Sequence, residues 1–433
     1  MSLAEGQEVE LAIEKPAAGG RMIARHHGEI VLVRGAIPGE RVRAWIERAE
    51  RRMAYAVTRD VIEASPDRRP AGPDPLCGGA HYAHIQYSRQ LLIKSDVIRD
   101  AFARLGRYPI DGPVDVAASP EEGYRMRARF HVRAGRAGFY REGTHQLCDA
   151  AQTRQLADAT VASVSALAAA LERDAPGGVT SIAITENIAG SERAAHLELG
   201  GGRLDVPSLE RHAAAAGLRG ISARSAAGGD PIVAGVPVVT DPIATMTAAN
   251  ESAAVLQRHA ESFFQGNRFL IGSLVAAAIA AVPDGGEVVD LYAGVGLFAV
   301  SLASAGRSAV TAVEGDRASG ADLRENARPF APRIDARIQR VEDYLVSRRV
   351  PRTATIVIDP PRTGLSKDAA EGIVRHGPAR VVYVSCDPAT LARDARRLLD
   401  AGYRLDALRA FDLFPGTPHV ETLAVFTRAG ANP

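Results

Sequence analysis

From about residue 252 onward, short apolar runs alternate with helical stretches, and this alternation constrains the fold more than anything else in the chain. Glu287–Leu291, Ala309–Val313, Arg337–Arg340, Thr355–Ile358 and Val381–Val384 read as strands. Helical spacing marks Leu270–Ala281, Leu297–Ala305, Arg317–Arg328, Lys367–His376 and Ala389–Ala401, and two closing strands follow at Leu405–Phe411 and Thr422–Thr427. Such a pattern implies a doubly wound, mostly parallel sheet. Ligands of these sheets bind in the crevice beyond the carboxyl ends of the strands. The residues just past each strand therefore carry the functional argument.

Cys386 follows the run Val381–Val384 and precedes Asp387-Pro388, which stops the strand. A free cysteine is as often a small core hydrophobe as a reactive group, so position alone leaves both readings open. After the first strand comes Asp290-Leu-Tyr-Ala-Gly294-Val-Gly296-Leu-Phe298. Its glycines allow close backbone approach to a ligand at a helix N-terminus. The second strand ends at Glu314, about 20 residues on, where a carboxylate is placed to accept ribose hydroxyls. The third glycine of a pyrophosphate-binding turn is missing, which favours S-adenosylmethionine over NAD. The fourth strand ends in Asp359-Pro360-Pro361-Arg362, and Arg362 stands where amino-group methyltransferases carry an aromatic residue. Glu421 opens the last strand; a lone carboxylate there is usually a solvated charge, less so beside a cysteine in a shared crevice.

Residues 1–63 read as five short strands separated by glycine turns, the signature of a small closed barrel. Residues 64–76 look like a linker, Tyr87–Gly106 like a helix, and 110–250 like an α+β unit with strand Arg127–Arg133 and an Ala-rich helix at Leu156–Arg173. Arg125, Arg127 and Arg129 alternate, so on a strand they would share one face. Net charge is only +1, so this cluster, and no global excess, is the sign of a nucleic-acid partner. Hydrophobic residues at 46% and charged ones at 24% fit a globular chain. The three cysteines, Cys77, Cys148 and Cys386, imply no disulfide framework and a reducing compartment. The acidic stretch Met1–Glu10 has no apolar core and the run Leu270–Val282 is too short to span a bilayer. Cytoplasmic residence without membrane association is expected.

Five motifs occur in order: Phe263-Phe-Gln265-x-Asn267, Asp290-Leu-Tyr292-x-Gly-Val-Gly-x-Phe298, Asp359-Pro-Pro-Arg362, Ser385-Cys386-Asp-Pro388 and His419-Val-Glu421. Together they resemble the RNA uracil-5-methyltransferases, which modify 23S ribosomal RNA and transfer RNA, and the resemblance covers nearly the whole chain. It implies three domains: an OB-like TRAM barrel over 1–63 that binds RNA, a central α+β RNA-binding domain over 64–251 (with helix 88–106 packed on the catalytic part), and a Rossmann-like class I methyltransferase over 252–433. By resemblance Cys386 is the nucleophile and Glu421 the general base. Gln265, Tyr292, Gly294, Glu314 and Asp359 match cofactor contacts, Phe263 a stacking position for the target base, and Arg125, Arg127 and Arg129 an RNA-facing strand.

The chemistry suits those residues. Uracil C5 is a poor nucleophile until a thiolate adds at C6, and a base must later remove the C5 proton. The expected activity is S-adenosylmethionine-dependent formation of 5-methyluridine, in 23S rRNA by analogy with TRAM-bearing relatives, by a monomer. A tRNA 5-methyluridine enzyme, an RNA 5-methylcytidine enzyme, and an RNA-binding or RNA-folding protein with a vestigial methyltransferase domain are the alternatives. The cytidine enzymes generally carry a second cysteine after the fourth strand, and a vestigial domain needs neither Cys386 nor Glu421. Many relatives bind a [4Fe–4S] cluster; here the matching positions are Ala71, Cys77, Ala80 and Thr153, so no cluster is expected. Whether Cys77, His81 and His84 hold another metal is left open.

Overall fold

A computed structural model describes residues 3–70, 72, 74, 76–201, 204–226, 228–247, 254–307 and 309–430. Strands Glu8–Pro16, Met22–His26, Glu29–Arg34, Arg41–Glu50 and Met53–Glu63 close into a barrel, in which the first pairs with the fourth. Alternation fills its interior: Val9, Leu11 and Ile13 from one strand meet Val42, Ala44 and Ile46 from another, all buried. His27 and Gly28 both adopt positive φ, 46° and 86°, as a two-residue hairpin turn requires. Glu40 anchors the following linker. Its buried carboxylate accepts the Ile37 N–H and a two-pronged 2.6 Å contact from Arg68. Burial alone would raise its pKa, but Arg68 and the backbone donors hold it below the ordinary carboxylate range.

The central unit is a seven-stranded sheet in the order Ile232–Gly235, Gly220–Ser225, Arg193–Leu199, Val179–Glu186, Arg127–Arg133, Arg136–Tyr140, Leu147–Cys148. Helices Asp158–Asp174 and Val206–Ala215 share a core with it through Phe130, Val164, Leu167, Ile182, Leu197 and Leu209. Cys77 and Cys148 form a disulfide here, with Cα atoms 5.6 Å apart. This corrects the expectation of unpaired cysteines. Their 71-residue separation hid a proximity that comes from Cys77 bridging to Arg141 beside the strand that carries Cys148.

The third sheet has eight strands, ordered Ile334–Ile338, Val310–Glu314, Val288–Leu291, Thr355–Ile358, Arg380–Ser385, Glu421–Arg428, Tyr403–Phe411, Val116–Ala117. The first five are parallel and Glu421–Arg428 inserts antiparallel beside Arg380–Ser385. All residues of Val288–Leu291 and Thr355–Ile358 are buried, as a sheet covered on both faces demands. The fold class read from the sequence is the one observed. The third of the parallel strands in chain order lies at Ile334–Ile338, earlier than the sequence suggests, because its ladder follows Val310–Glu314.

The segment from helix Tyr87–Arg104 to strand Val116–Ala117 joins the catalytic unit. The helix shares a core with helix Pro388–Asp400 through Ile98, Phe102, Leu391 and Ala395, and the strand pairs with Ala410–Phe411. Leu92 and Leu105 are exposed, whereas Gln90 and Lys94 are buried. Lys94 donates to Asp412 at 2.5 Å and to the Phe414 carbonyl at 3.2 Å. A boundary between residues 251 and 252 lies outside the described residues, and strands Val238–Pro242 and Val255–His259 pair across it. Among the described residues no helix is long and apolar enough to cross a membrane.

Candidate active site

The sheet reverses direction of winding at Val288–Leu291, which has Val310–Glu314 on one side and Thr355–Ile358 on the other. Beyond the strand ends at this switch point opens a cavity of about 670 Å³. It brings together Phe263, Gln265, Tyr292, Gly294, Glu314, Asp359, Cys386 and Glu421, every candidate outside the arginine strand.

Local sequence explains each placement. Ser385 ends its strand; Asp387 caps the next helix, accepting the Ala389 and Thr390 N–H groups at 2.9 and 2.8 Å, and Pro388 occupies the first helical turn. Cys386 is thereby held between a buried strand and a capped helix. Tyr292 and Gly294 turn the first strand into its helix with φ of 61° and 56°. A Cβ on Gly294 would meet no atom within 4 Å, so the glycine faces open cavity. Glu314 accepts N–H groups from Gly294 (2.7 Å) and Asp316 (2.6 Å), so part of its capacity goes to bracing the glycine turn; an ionised carboxylate still has lone pairs for ribose hydroxyls. Gln265 donates to Asp359 at 3.0 Å.

The loop carrying Phe263 and Gln265 is clamped by residues the sequence did not single out. Arg258, fully buried and ion-paired with Asp241, lies 4.0 Å over the Phe264 ring. Asp322 accepts from the Ser262 hydroxyl and the His259 N–H, each at 2.7 Å. No local pattern marks the Asp322 contacts, since their partners lie 60 and 63 residues away. Phe263 itself is 61% exposed at the cavity mouth.

The arginine strand behaves differently from its reading. Regular pairing begins at Arg127, and Arg125 forms only an isolated bridge to Asn267. Arg125 donates to Gln155 and Arg127 to the Ser262 and Glu261 carbonyls, so both brace protein, while Arg129 is exposed. The Arg127 guanidinium lies 5.6 Å over the Phe263 ring.

Electrostatically the site is dominated by burial. It pushes the Cys386 thiol up to about 12, with Glu421 adding to the effect and Arg362 opposing it. Burial likewise raises Glu421 well above the carboxylate range, helped by Asp359 and opposed by Arg362, and raises Asp359 to about 7. Glu421 is 1% exposed and its Oε1 has no hydrogen-bond partner. A buried carboxyl oxygen in that state is costly unless a ligand completes it.

The open glycine turn, the acidic strand end and the cavity's size fit an adenosyl cofactor. A [4Fe–4S] cluster does not fit: the Cys77 sulfur is bonded to Cys148, Ala80 and Thr153 offer no thiolate, and Ala71 lies outside the described residues. Among the described residues no group of three or more His, Cys, Asp or Glu is arranged to hold a metal ion.

The family model for tRNA (uracil-5-)-methyltransferases matches residues 336–429, and that for TRAM domains residues 3–58. An uncharacterized RNA methyltransferase of Streptomyces coelicolor is 31% identical over 98% of this chain and 93% of its own. The 23S rRNA (uracil(1939)-C(5))-methyltransferase RlmD of Halomonas elongata is 33% identical over 96% of this chain and 88% of its own. Among solved structures, the Pyrococcus abyssi tRNA (uracil-54, C5)-methyltransferase in complex with S-adenosyl-L-homocysteine shares the fold, with a TM-score of 0.73, 22% identity and coverage of 97% and 100%. With a barrel, a switch-point cavity and an end-to-end match of this kind, the chain belongs to the S-adenosylmethionine-dependent RNA uracil-C5 methyltransferases.

Proposed function

We propose that this enzyme methylates a uridine of 23S ribosomal RNA at C5, with Cys386 as nucleophile and Glu421 as base. The observation that carries the assignment is the partnerless Oε1 of Glu421, buried in the same cavity as the free thiol of Cys386. S-adenosylmethionine supplies the methyl group; Gly294, Glu314, Tyr292, Gln265 and Asp359 are the residues that would hold it. The Cys386 thiol gives its proton to solvent and its sulfur bonds to uracil C6; the electron pair of the C5–C6 double bond shifts to C4–C5 and the carbonyl pair moves onto O4 as an enolate. C5 takes up the methyl group, the C–S bonding pair staying on the departing thioether sulfur, and Glu421, in its carboxylate form, then removes the C5 proton. Re-formation of the double bond expels the Cys386 thiolate. Arg362 opposes the rise in pKa at both Cys386 and Glu421, which suits a residue that eases formation of the anions.

Phe263, exposed at the mouth and backed by Arg127, is suited to receive a base turned out of its stack. Ribosomal RNA is favoured by the RlmD relatives and the TRAM barrel. We further propose that the enzyme acts as a cytoplasmic monomer without a resident cluster. Mapping 5-methyluridine in ribosomal and transfer RNA of a deletion strain tests the substrate: loss of a 23S site alone supports the reading, and loss confined to tRNA contradicts it.

A further inference from the structure

Next to the catalytic cavity lies a groove of about 230 Å³ that shares Arg362 and Phe414 with it. One wall is an aromatic pair. The rings of His131 and Tyr140 stack with centroids 3.6 Å apart and planes within 8°. Both side chains are only partly buried. Arg129 stands one alternation before His131 on the same face of the strand, exposed, with its Nε donating to the Ser181 hydroxyl at 3.2 Å and a long 3.7 Å contact to Glu198. Arg125 and His419 complete the cationic and titratable lining, which contains no carboxylate. Apart from Arg362, none of these residues serves the chemistry at Cys386.

We infer that this groove is a second nucleobase subsite. It holds the base of a nucleotide adjoining the target uridine, by stacking on the His131–Tyr140 wall, with Arg129 facing the neighbouring phosphate. Three observations support that occupant. The groove adjoins the catalytic cavity through Arg362 and Phe414, so a strand whose uridine enters one passes close to the other. Its lining is cationic, which suits a polyanion. Its wall is planar and aromatic, the surface on which unstacked bases settle irrespective of sequence. The wall is also rigidly placed, because Tyr140 pairs with Leu147 one residue before the disulfide at Cys148, and Gly78 donates to the Tyr140 carbonyl.

The inference rests on the chain acting on RNA, and the test separates the two. Tyr140→Leu removes the ring at similar bulk, Tyr140→Phe keeps it, and His131→Ala removes the partner ring. Each full-length variant is assayed with unmodified 23S rRNA and tRNA transcripts for KM and kcat, for affinity by filter binding, and for thermal melting. Loss of one stacked base predicts that Tyr140→Leu and His131→Ala raise KM and Kd for RNA by about tenfold to a hundredfold. The kcat, cofactor affinity and melting temperature should stay near wild type, and Tyr140→Phe should retain wild-type KM. Unchanged RNA affinity in Tyr140→Leu, or an equal defect in Tyr140→Phe, overturns the subsite. If the variants melt early, Arg129→Gln decides, because an exposed side chain can be lost without unfolding: unchanged affinity there overturns the inference. If the wild-type chain methylates only tRNA, the ribosomal assignment fails while the same variants still report on the groove.

Discussion

Cys386 and Glu421 face one another across two antiparallel strands. The ladder that pairs Val384 with Leu423 and Ser385 with Thr422 makes them the next opposed pair, just where Arg380–Ser385 ends and Glu421–Arg428 begins. Residues 35 positions apart in the chain are thus brought to one rim by backbone pairing and do not depend on loop placement. A nucleophile and a base so fixed can act on adjacent carbons of one ring, C6 and C5 of uracil.

Their shared burial sets the pH behaviour of the thiol. With Cys386 pushed up to about 12, its thiolate fraction in the RNA-free enzyme keeps growing with pH throughout the accessible range. Alkylation by iodoacetamide should therefore speed up about tenfold per pH unit between about pH 7 and 10, without levelling. An ordinary thiol levels off above about pH 8.5. A plateau near that value would show that the free enzyme already activates the thiol.

Glu314 is expected to secure the cofactor. Glu314→Ala removes the acceptor for ribose and two braces of the glycine turn. The affinity for S-adenosylmethionine should fall by about tenfold or more, since hydrogen bonds to charged groups contribute roughly 1.5–3 kcal/mol. Calorimetry on the folded variant checks this, and unchanged affinity removes Glu314 from the cofactor site.

The buried pair Lys94–Asp412 ties the helix Tyr87–Arg104 to the loop that leads toward Glu421. Burial lowers the Lys94 pKa and raises that of Asp412, with each charge opposing the shift of the other. Lys94→Met should cost about 3–5 kcal/mol, because it strands a buried carboxylate. Lys94→Met combined with Asp412→Leu should cost clearly less. Urea denaturation of both variants reads the difference, and equal losses would mean that shape, and not charge, holds the loop.

The sequence made the catalytic half of the molecule legible because parallel strands are near-continuous apolar runs, and motifs sit where they stop. Cys386, Glu314 and Asp359 could be located by that rule alone. Glu421 could be located only through family resemblance, since an isolated carboxylate before a strand carries no signal of its burial. The central unit was harder. Its strand Gly220–Ser225 is short and pairs in parallel with Arg193–Leu199 across the intervening helix Val206–Ala215. The disulfide and the buried face of the helix at Lys94 depend on partners 71 and 318 residues away, and the Arg258 clamp on Asp241 in a different strand. Arg127 looked like an RNA ligand because a sequence shows its charge but not the carbonyls it binds.

The cysteine pairing makes the absence of a cluster testable. Anaerobically purified protein should be colourless, with no absorbance near about 400 nm, and should still methylate RNA. Denatured without reductant it should show one free thiol, from Cys386. A brown preparation with stoichiometric iron and sulfide would contradict the assignment.

The division of labour between Cys386 and Glu421 is tested most directly by trapping. Glu421→Gln, incubated with unmodified 23S rRNA transcript and S-adenosylmethionine, should add and methylate but fail to lose the C5 proton. A denaturation-resistant protein–RNA band carrying the labelled methyl group should accumulate, and Cys386→Ala should form none and show no turnover. Wild-type turnover by Cys386→Ala, or free methylated RNA released by Glu421→Gln at the wild-type rate, would contradict the account.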